Sequence, residues 1–205
     1  MEIKKFEVGS FLTNCYLLNI KNHYLIIDPG FYQENIKNFL FKNRIKIDYI
    51  FLTHGHPDHC GAALQIKENF GGKIIAHPLL NEVFNNLKDS FLLFKKLEFS
   101  EIIPDIEIES KKIFNLGKEK LYFLNLPGHS PDSLVLIYKS NIFSGDLIFK
   151  DGIGRFDLYK SNFEDLKDSI KKILTFPENY KIFPGHGDPF VLKDFKLFFE
   201  KSFLW

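Results

Sequence analysis

Four side chains able to bind a metal fall within six residues of this chain. They are His54, His56, Asp58 and His59, in the run Thr53-His54-Gly55-His56-Pro57-Asp58-His59. Imidazole nitrogen and carboxylate oxygen are ordinary ligands of Zn²⁺ and Fe²⁺. His54 and His56, in a loop leaving a strand, can point the same way, because alternate residues of an extended segment share a face. Asp58 and His59 then open the next helix, turned toward a second centre. One ion cannot easily take all four donors from so short a segment, so the spacing favours two neighbouring metals. Two such ions can share a water, lower its pKa toward about 7 and polarise a carbonyl. Acyl hydrolysis by the resulting hydroxide is the chemistry these residues point to, with Asp58 able to orient that nucleophile or take its proton.

Three later donors share one setting. His129 lies in Pro127-Gly128-His129-Ser130, Asp146 in Ser144-Gly145-Asp146 and His186 in Pro184-Gly185-His186-Gly187. Each follows an apolar run in a glycine-containing turn, where a backbone can come close to a site.

The elements that must position these donors read as follows. Strands are expected at Phe6–Val8, Cys15–Ile20 and Tyr24–Ile27, with Lys21-Asn22 as a hairpin turn. Apolar spacing predicts helices over Gln33–Asn43 and Ala62–Asn69, the second closed by Gly71-Gly72. Ile47–Thr53 and Lys73–Ala76 read as strands, and Asn81–Phe99 as a longer helix. The second half reads as strands at Ile106–Ile108, Lys120–Leu126, Ser133–Tyr138, Asn141–Phe143 and Lys181–Phe183. Its helices are Phe163–Leu174, capped by Ser161 or Asn162, and Val191–Phe203. Two rounds of strands followed by helices suggest an α/β fold, two sheets with helices outside in a four-layer αββα arrangement.

Length and composition agree. The chain has 205 residues, 45% hydrophobic and 26% charged, which suits one soluble globular domain over 1–205. Lys+Arg number 27 against 26 Asp+Glu, so no bulk charge draws the chain to nucleic acid or anionic lipid. No run is long and apolar enough to span a membrane, and no secretory signal is visible. Cys15 and Cys60 cannot make a disulfide framework and read as reduced and buried, so the expected location is the cytoplasm. The two arginines are Arg44 and Arg155; every other basic residue is lysine.

Taken together, the motifs resemble the metallo-β-lactamase superfamily over essentially the whole chain. Asn14-Cys15-Tyr16-Leu17 and Asp28-Pro29-Gly30 look like its opening strands. His54-x-His56-x-Asp58-His59 is its signature, and the His129, Asp146 and His186 motifs follow in order. The resemblance implies that His54, His56 and His129 hold one metal, that Asp58, His59 and His186 hold another, and that Asp146 bridges them. It places Asp28 behind the ligands, steadying the His-rich loop. The cofactors implied are two divalent ions, zinc or else iron.

Within that superfamily, Gly145-Asp146-Leu147-Ile148-Phe149 and Gly154-Arg155-Phe156-Asp157-Leu158 resemble the small glyoxalase II-like hydrolases. This implies hydrolysis of a small-molecule thioester or related ester, with Arg155, Asp157 and Tyr159 near the substrate. A thiolate, from a thiol of pKa about 8.5, leaves without a dedicated acid. Two departures stand out. The residues after His186 leave no room for the helical C-terminal domain of full-length glyoxalase II. Asp157 stands where those enzymes carry a tyrosine that contacts glutathione. Pro78–Phe99 is the expected substitute for a substrate wall. Its Phe91, Leu92, Leu93 and Phe94 are too broad for one helix face, and read as core or as contact with a second copy in a homodimer. Two rivals share the motifs. One is a persulfide dioxygenase, with a single iron on the counterparts of His54, His129 and Asp146. The other is a lactonase.

Overall fold

The computed structural model describes residues 1–31, 34–87 and 100–202. They form two compact units, Met1–Glu109 and Ser110–Trp205, and each unit holds one six-stranded sheet.

The first unit begins with β1 (Glu2–Val8), β2 (Thr13–Ile20) and β3 (His23–Ile27), paired antiparallel. Lys21 and Asn22 turn β2 into β3 with φ of 53° and 68°, the two left-handed residues that a tight hairpin turn requires. From β3 onward the sheet is parallel, through β4 (Tyr49–Phe51), β5 (Lys73–Ala76) and β6 (Ile106–Glu107). Parallel neighbours need crossovers. Helix α1 (Glu34–Lys42) lies in the first, α2 (Pro57–Cys60) and α3 (Ala63–Phe70) in the second, and α4 (Leu80–Leu87) in the third. Alternate strand residues, among them Leu17, Ile26, Ile50 and Ile74, pack with Ile36, Leu40, Ile66 and Phe84 of the helices.

The second unit runs antiparallel through β7 (Lys111–Leu116), β8 (Glu119–Asn125), β9 (Leu134–Tyr138) and β10 (Asn141–Gly145). A small hairpin follows, β11 (Ile148–Phe149) with β12 (Gly152–Ile153). Helix α5 (Phe163–Leu174) then carries the chain to β13 (Lys181–Pro184), parallel to β10, and β14 (Phe190–Val191) closes the edge before α6 (Leu192–Ser202). Asn162 is the α5 cap, its side chain accepting the Asp165 N–H at 3.0 Å. Leu166, Ile170 and Ile173 of α5 and Phe195 of α6 pack on Val135, Ile137, Ile142 and Ile182.

Several expectations are corrected. Phe190–Val191 is strand, so the last helix starts at Leu192 and not at Val191. Strand β7, unread in the sequence, is an edge strand whose residues are mostly exposed, so it lacks the buried alternation that marks a strand. Of the expected helix Asn81–Phe99, the described part is helical, over Leu80–Leu87; residues 88–99, Phe91 to Phe94 among them, lie outside the described residues. Among the described residues no helix is long and apolar enough to cross a membrane.

An ion pair braces the parallel half of the first sheet. Lys67 Nζ donates to both Asp105 oxygens at 2.9 and 2.7 Å, and the Ile74 N–H donates to Asp105 Oδ2 at 2.7 Å. Burial pushes this carboxyl up, but Lys67 and the Ile74 N–H outweigh it and hold Asp105 below the usual carboxylate range. A depressed folded-state value stabilises the fold above the unfolded pKa and is lost as pH falls through the folded one. Asp105→Ala is therefore expected to destabilise the fold by about 1–2 kcal/mol near neutral pH. Denaturant unfolding as a function of pH checks this: the gap between variant and parent should close in acid.

Candidate metal centre

Strand direction decides where the donors fall. Strands β3 and β4 are parallel, so their C-terminal ends lie at one edge of the first sheet. Asp28 follows β3, and the run from Thr53 to His59 follows β4. In the second sheet β8, β10 and β13 all point the same way, with β9 reversed between the first two. Their C-terminal ends lead to His129, Asp146 and His186. In each unit the donors thus sit off the carboxyl ends of like-directed strands, the usual binding edge of an open α/β sheet.

Asp28 organises the first unit's donors. It is buried, with φ of 46°. Its Oδ1 accepts the Thr53 N–H at 2.8 Å, and its Oδ2 accepts the Thr53 hydroxyl at 2.6 Å and faces His59 Nδ1 at 3.0 Å. The Thr53 hydroxyl lies 2.9 Å from His54 Nδ1. With that hydrogen spent on Asp28, the hydroxyl oxygen is set to accept from Nδ1. Donation from Nδ1 puts the ring lone pair on Nε2 in both His54 and His59, the tautomer a metal needs. Asp28, His54 and His59 lie close enough to hold an ion by themselves, but the Asp28 oxygens are committed to these hydrogen bonds. The rings of His54 and His56 stand 4.4 Å apart and those of His54 and His59 4.2 Å. Thr13, which the sequence reading missed, donates its hydroxyl to Asp58 Oδ2 at 3.1 Å. It begins β2 and carries no motif of its own.

The second unit repeats the device with a backbone acceptor. His129 Nδ1 lies 2.9 Å from the Arg155 carbonyl oxygen, and Ser161 donates its hydroxyl to the His129 carbonyl at 2.8 Å. Asp146 Oδ2 stands 3.7 Å from His129 Nε2 and 3.4 Å from His186 Nε2. In the first unit Asp58 Oδ2 and His59 Nε2 are 3.5 Å apart. Two ligands of one tetrahedral ion, each about 2.0–2.2 Å from it, stand roughly 3.3–3.6 Å apart. Donor type and spacing therefore fit divalent metal.

His129, Asp146 and His186 also line an open depression of about 440 Å³ with Phe149, Ile153, Arg155 and Gly187. Phe149 and Ile153, from the small hairpin, make its apolar side; the sequence motif held Phe149 but gave no reason to place it there. Arg155 lines this depression, yet its guanidinium pairs with Asp157 at 2.9 and 3.0 Å. The pair is about two-thirds exposed, 66% and 64%, so it is not a buried one. Hydrogen bonding to each other raises the Arg155 pKa and holds the Asp157 carboxyl below its ordinary value. Asp157 and Tyr159 do not line the depression; Tyr159 is half-buried with the Lys160 ammonium 5.6 Å from its ring centre. Both cysteines are buried and neither is in a disulfide.

The chain belongs to the metallo-beta-lactamase superfamily, whose family model matches residues 8–186. It is 34% identical over 194 residues to a probable metallo-hydrolase, YqgX, of Bacillus subtilis, covering 91% of this chain and 90% of that one. It is 32% identical over 193 residues to the hydroxyacylglutathione hydrolase GloC of Haemophilus influenzae, covering 91% of each. The crystal structure of BLEG-1 B3 metallo-beta-lactamase superposes with a TM-score of 0.84 at 28% identity, over 94% of this chain and 95% of that one. That of TTHA1623 in a di-iron-bound form superposes with a TM-score of 0.82 at 26% identity, over 97% and 98%. The fold is the α/β fold of this superfamily, and the chain, with its histidine and aspartate donors, is a metallo-hydrolase of it.

Two outcomes test the site. Asp28→Ala removes the acceptor behind His59 and Thr53, and is expected to weaken metal binding by about 10–100-fold, measured by competition with a chromophoric chelator. Gly128 holds φ of 136°, and a Cβ there would run into the Leu166 backbone of α5. Gly128→Ala is expected to cost about 3 kcal/mol or more, since strain and overpacking add. Gly187 also has a positive φ, of 75°, but a Cβ there meets nothing. Gly187→Ala should lower the thermal midpoint by less than Gly128→Ala does.

Proposed function

We propose that the chain is a dinuclear metal-dependent hydrolase of a thioester or related ester, similar in reaction to glyoxalase II. In this reading His54, His56 and His129 hold one ion, Asp58, His59 and His186 hold the other, and Asp146 serves both. The observation that carries it is Asp146 Oδ2, within ligand spacing of both His129 Nε2 and His186 Nε2. A carboxylate oxygen at ligand spacing from one histidine of each proposed set is placed to serve both ions. The similarity to GloC, named a hydroxyacylglutathione hydrolase, supports the reaction class. Zinc suits the nitrogen and oxygen donors, and so does iron; the similar TTHA1623 structure, in a di-iron-bound form, supports the second choice.

When bound, the ions supply a water acidified to near neutral pH and a Lewis acid for the carbonyl oxygen. The chain's own residues do the rest. Asp58 orients the water and accepts its proton, and the Thr13 hydroxyl on Asp58 Oδ2 restricts how that carboxylate can turn. The depression beside His129, Asp146 and His186 takes the acyl group against Phe149 and Ile153. These apolar walls limit competing water around the carbonyl. The leaving thiolate needs no acid from the chain, because a thiol of pKa about 8.5 is already a fair leaving group. The substrate is a small molecule and not nucleic acid, in keeping with the near balance of charge in the chain.

Asp58→Ala and His129→Ala are each expected to lower kcat on an aryl thioester by about 10²–10⁴-fold, with circular dichroism unchanged. Purified protein should carry close to two metals per chain. A variant near the parental rate would show the site to be misassigned. One iron per chain with persulfide-dependent oxygen uptake would replace hydrolysis with dioxygenation, and faster turnover of lactones than thioesters would change the substrate class.

A further inference from the structure

A second cavity of the Ser110–Trp205 unit is built unlike the first. It has a volume of about 490 Å³, and its walls come from β7, β8, β9, the end of α5 and Tyr180. Cavities of roughly 300–1,000 Å³ are the size that small molecules occupy. Its floor is apolar: Leu124 and Ile137 are buried members of the core beneath α5 and α6. Helix α5 ends at Leu174, and beyond that end the sheet face is open. Tyr122 is 37% exposed there, and Ile113, its cross-strand partner on β7, is 50% exposed. Phe176 and Tyr180 form an aromatic wall, their ring centres 5.7 Å apart.

Lys111, Lys139 and Lys172 line this cavity, and no acidic residue does. In a chain of 27 basic and 26 acidic residues, a lining with three cations and no acidic residue is a local departure from the average. Lys139 has Glu119 at 3.7 Å, but that carboxylate oxygen already accepts the Tyr138 hydroxyl at 2.7 Å. Among the described residues no carboxylate pairs with Lys111 or Lys172. Like charges around an apolar floor repel one another, and an anion among them removes that repulsion. Lysine presents a compact charge on a flexible apolar stem, so such a rim selects by charge while the floor selects by apolar area.

We propose that this cavity is a binding site for a small organic anion with an apolar body, an aryl or medium-chain carboxylate, separate from the metal centre. The carboxylate lies among Lys111, Lys139 and Lys172. The body lies over Leu124 and Ile137 against Tyr122, Phe176 and Tyr180. None of these residues is a proposed metal ligand, so the site stands whether or not the hydrolase reading does.

Calorimetric titration with 1-naphthoate and with decanoate tests it; the first represents an aromatic source and the second an acyl one. At least one is expected to bind, and its neutral amide about tenfold or more weaker, as loss of ion pairing at a partly desolvated site implies. Lys111→Glu combined with Lys172→Glu is expected to abolish binding while metal content and thioester turnover stay unchanged. Raised salt should weaken binding, because the rim is exposed. Lys111→Gln with Lys172→Gln is the milder pair should the charge reversal fail to fold, and the same loss is expected of it. Equal affinity for anion and amide, no binding of either anion, or undiminished binding by the lysine variants would each overturn the proposal. Binding to phosphatidylglycerol vesicles with neither soluble anion bound would also overturn it, in favour of a membrane surface.

Discussion

One buried carboxylate sets the geometry of the His-rich loop. Burying an ionised carboxylate without partners costs many kcal/mol, so a chain that does so must surround it with donors. Asp28 is surrounded by the Thr53 N–H, the Thr53 hydroxyl and His59 Nδ1. These three bonds reach both ends of the loop that follows β4. A loop pinned at its first and last residues has little freedom left for His54, His56 and Asp58 between them. The same carboxylate fixes the tautomer of His59 directly and that of His54 through Thr53. A single charge thus does both the mechanical and the protonic work of preparing this loop.

The second unit reaches a similar end with a neutral acceptor behind its histidine. His129 Nδ1 is held by the Arg155 carbonyl, a neutral acceptor. An anionic partner makes an imidazole a stronger donor to metal than a neutral one does. As proposed ligands, His59 and His129 would therefore be unequal, although both are histidines with an oxygen behind Nδ1. The Arg155 carbonyl is also a backbone atom, so no side-chain substitution at residue 155 removes it. The guanidinium of the same residue is turned outward to Asp157. Position 155 thus holds His129 through its carbonyl while its charged group is committed to Asp157.

How much of this was legible in the sequence depended on the range of the signal. The His54 to His59 cluster is dense and local, and it pointed to metal chemistry at once. The Lys21-Asn22 turn and the Asn162 cap are equally local, and both are found where turn and cap chemistry place them. The Asp28 interactions were less visible. An Asp-Pro-Gly run reads equally well as a plain turn, and the partners of Asp28 lie 25 and 31 residues away. Thr13 was invisible because a single hydroxyl at a strand start has no pattern. Edge strands β7 and β14 were missed because edges bury little, and burial is what makes a strand periodic. Arg155 stands out by rarity, and a pair with Asp157 was open to it from the sequence; that the pair is exposed was not legible.

The burial of Cys15 has a consequence for the choice of metal. Its thiol is enclosed by apolar residues near Asp28, and burial first, then the Asp28 charge, push its pKa well above the ordinary value. Thiolate is the form that binds metal, and among the described residues no candidate ion-holding group includes Cys15. Cys60 is in none of these groups either, so among the described residues the donors offered are nitrogen and oxygen, a set that ranks zinc and iron less sharply than sulfur would. Which metal fills such a protein follows from what the cell has to spare when the chain folds. The same gene product can then differ in metal content from one growth medium to the next.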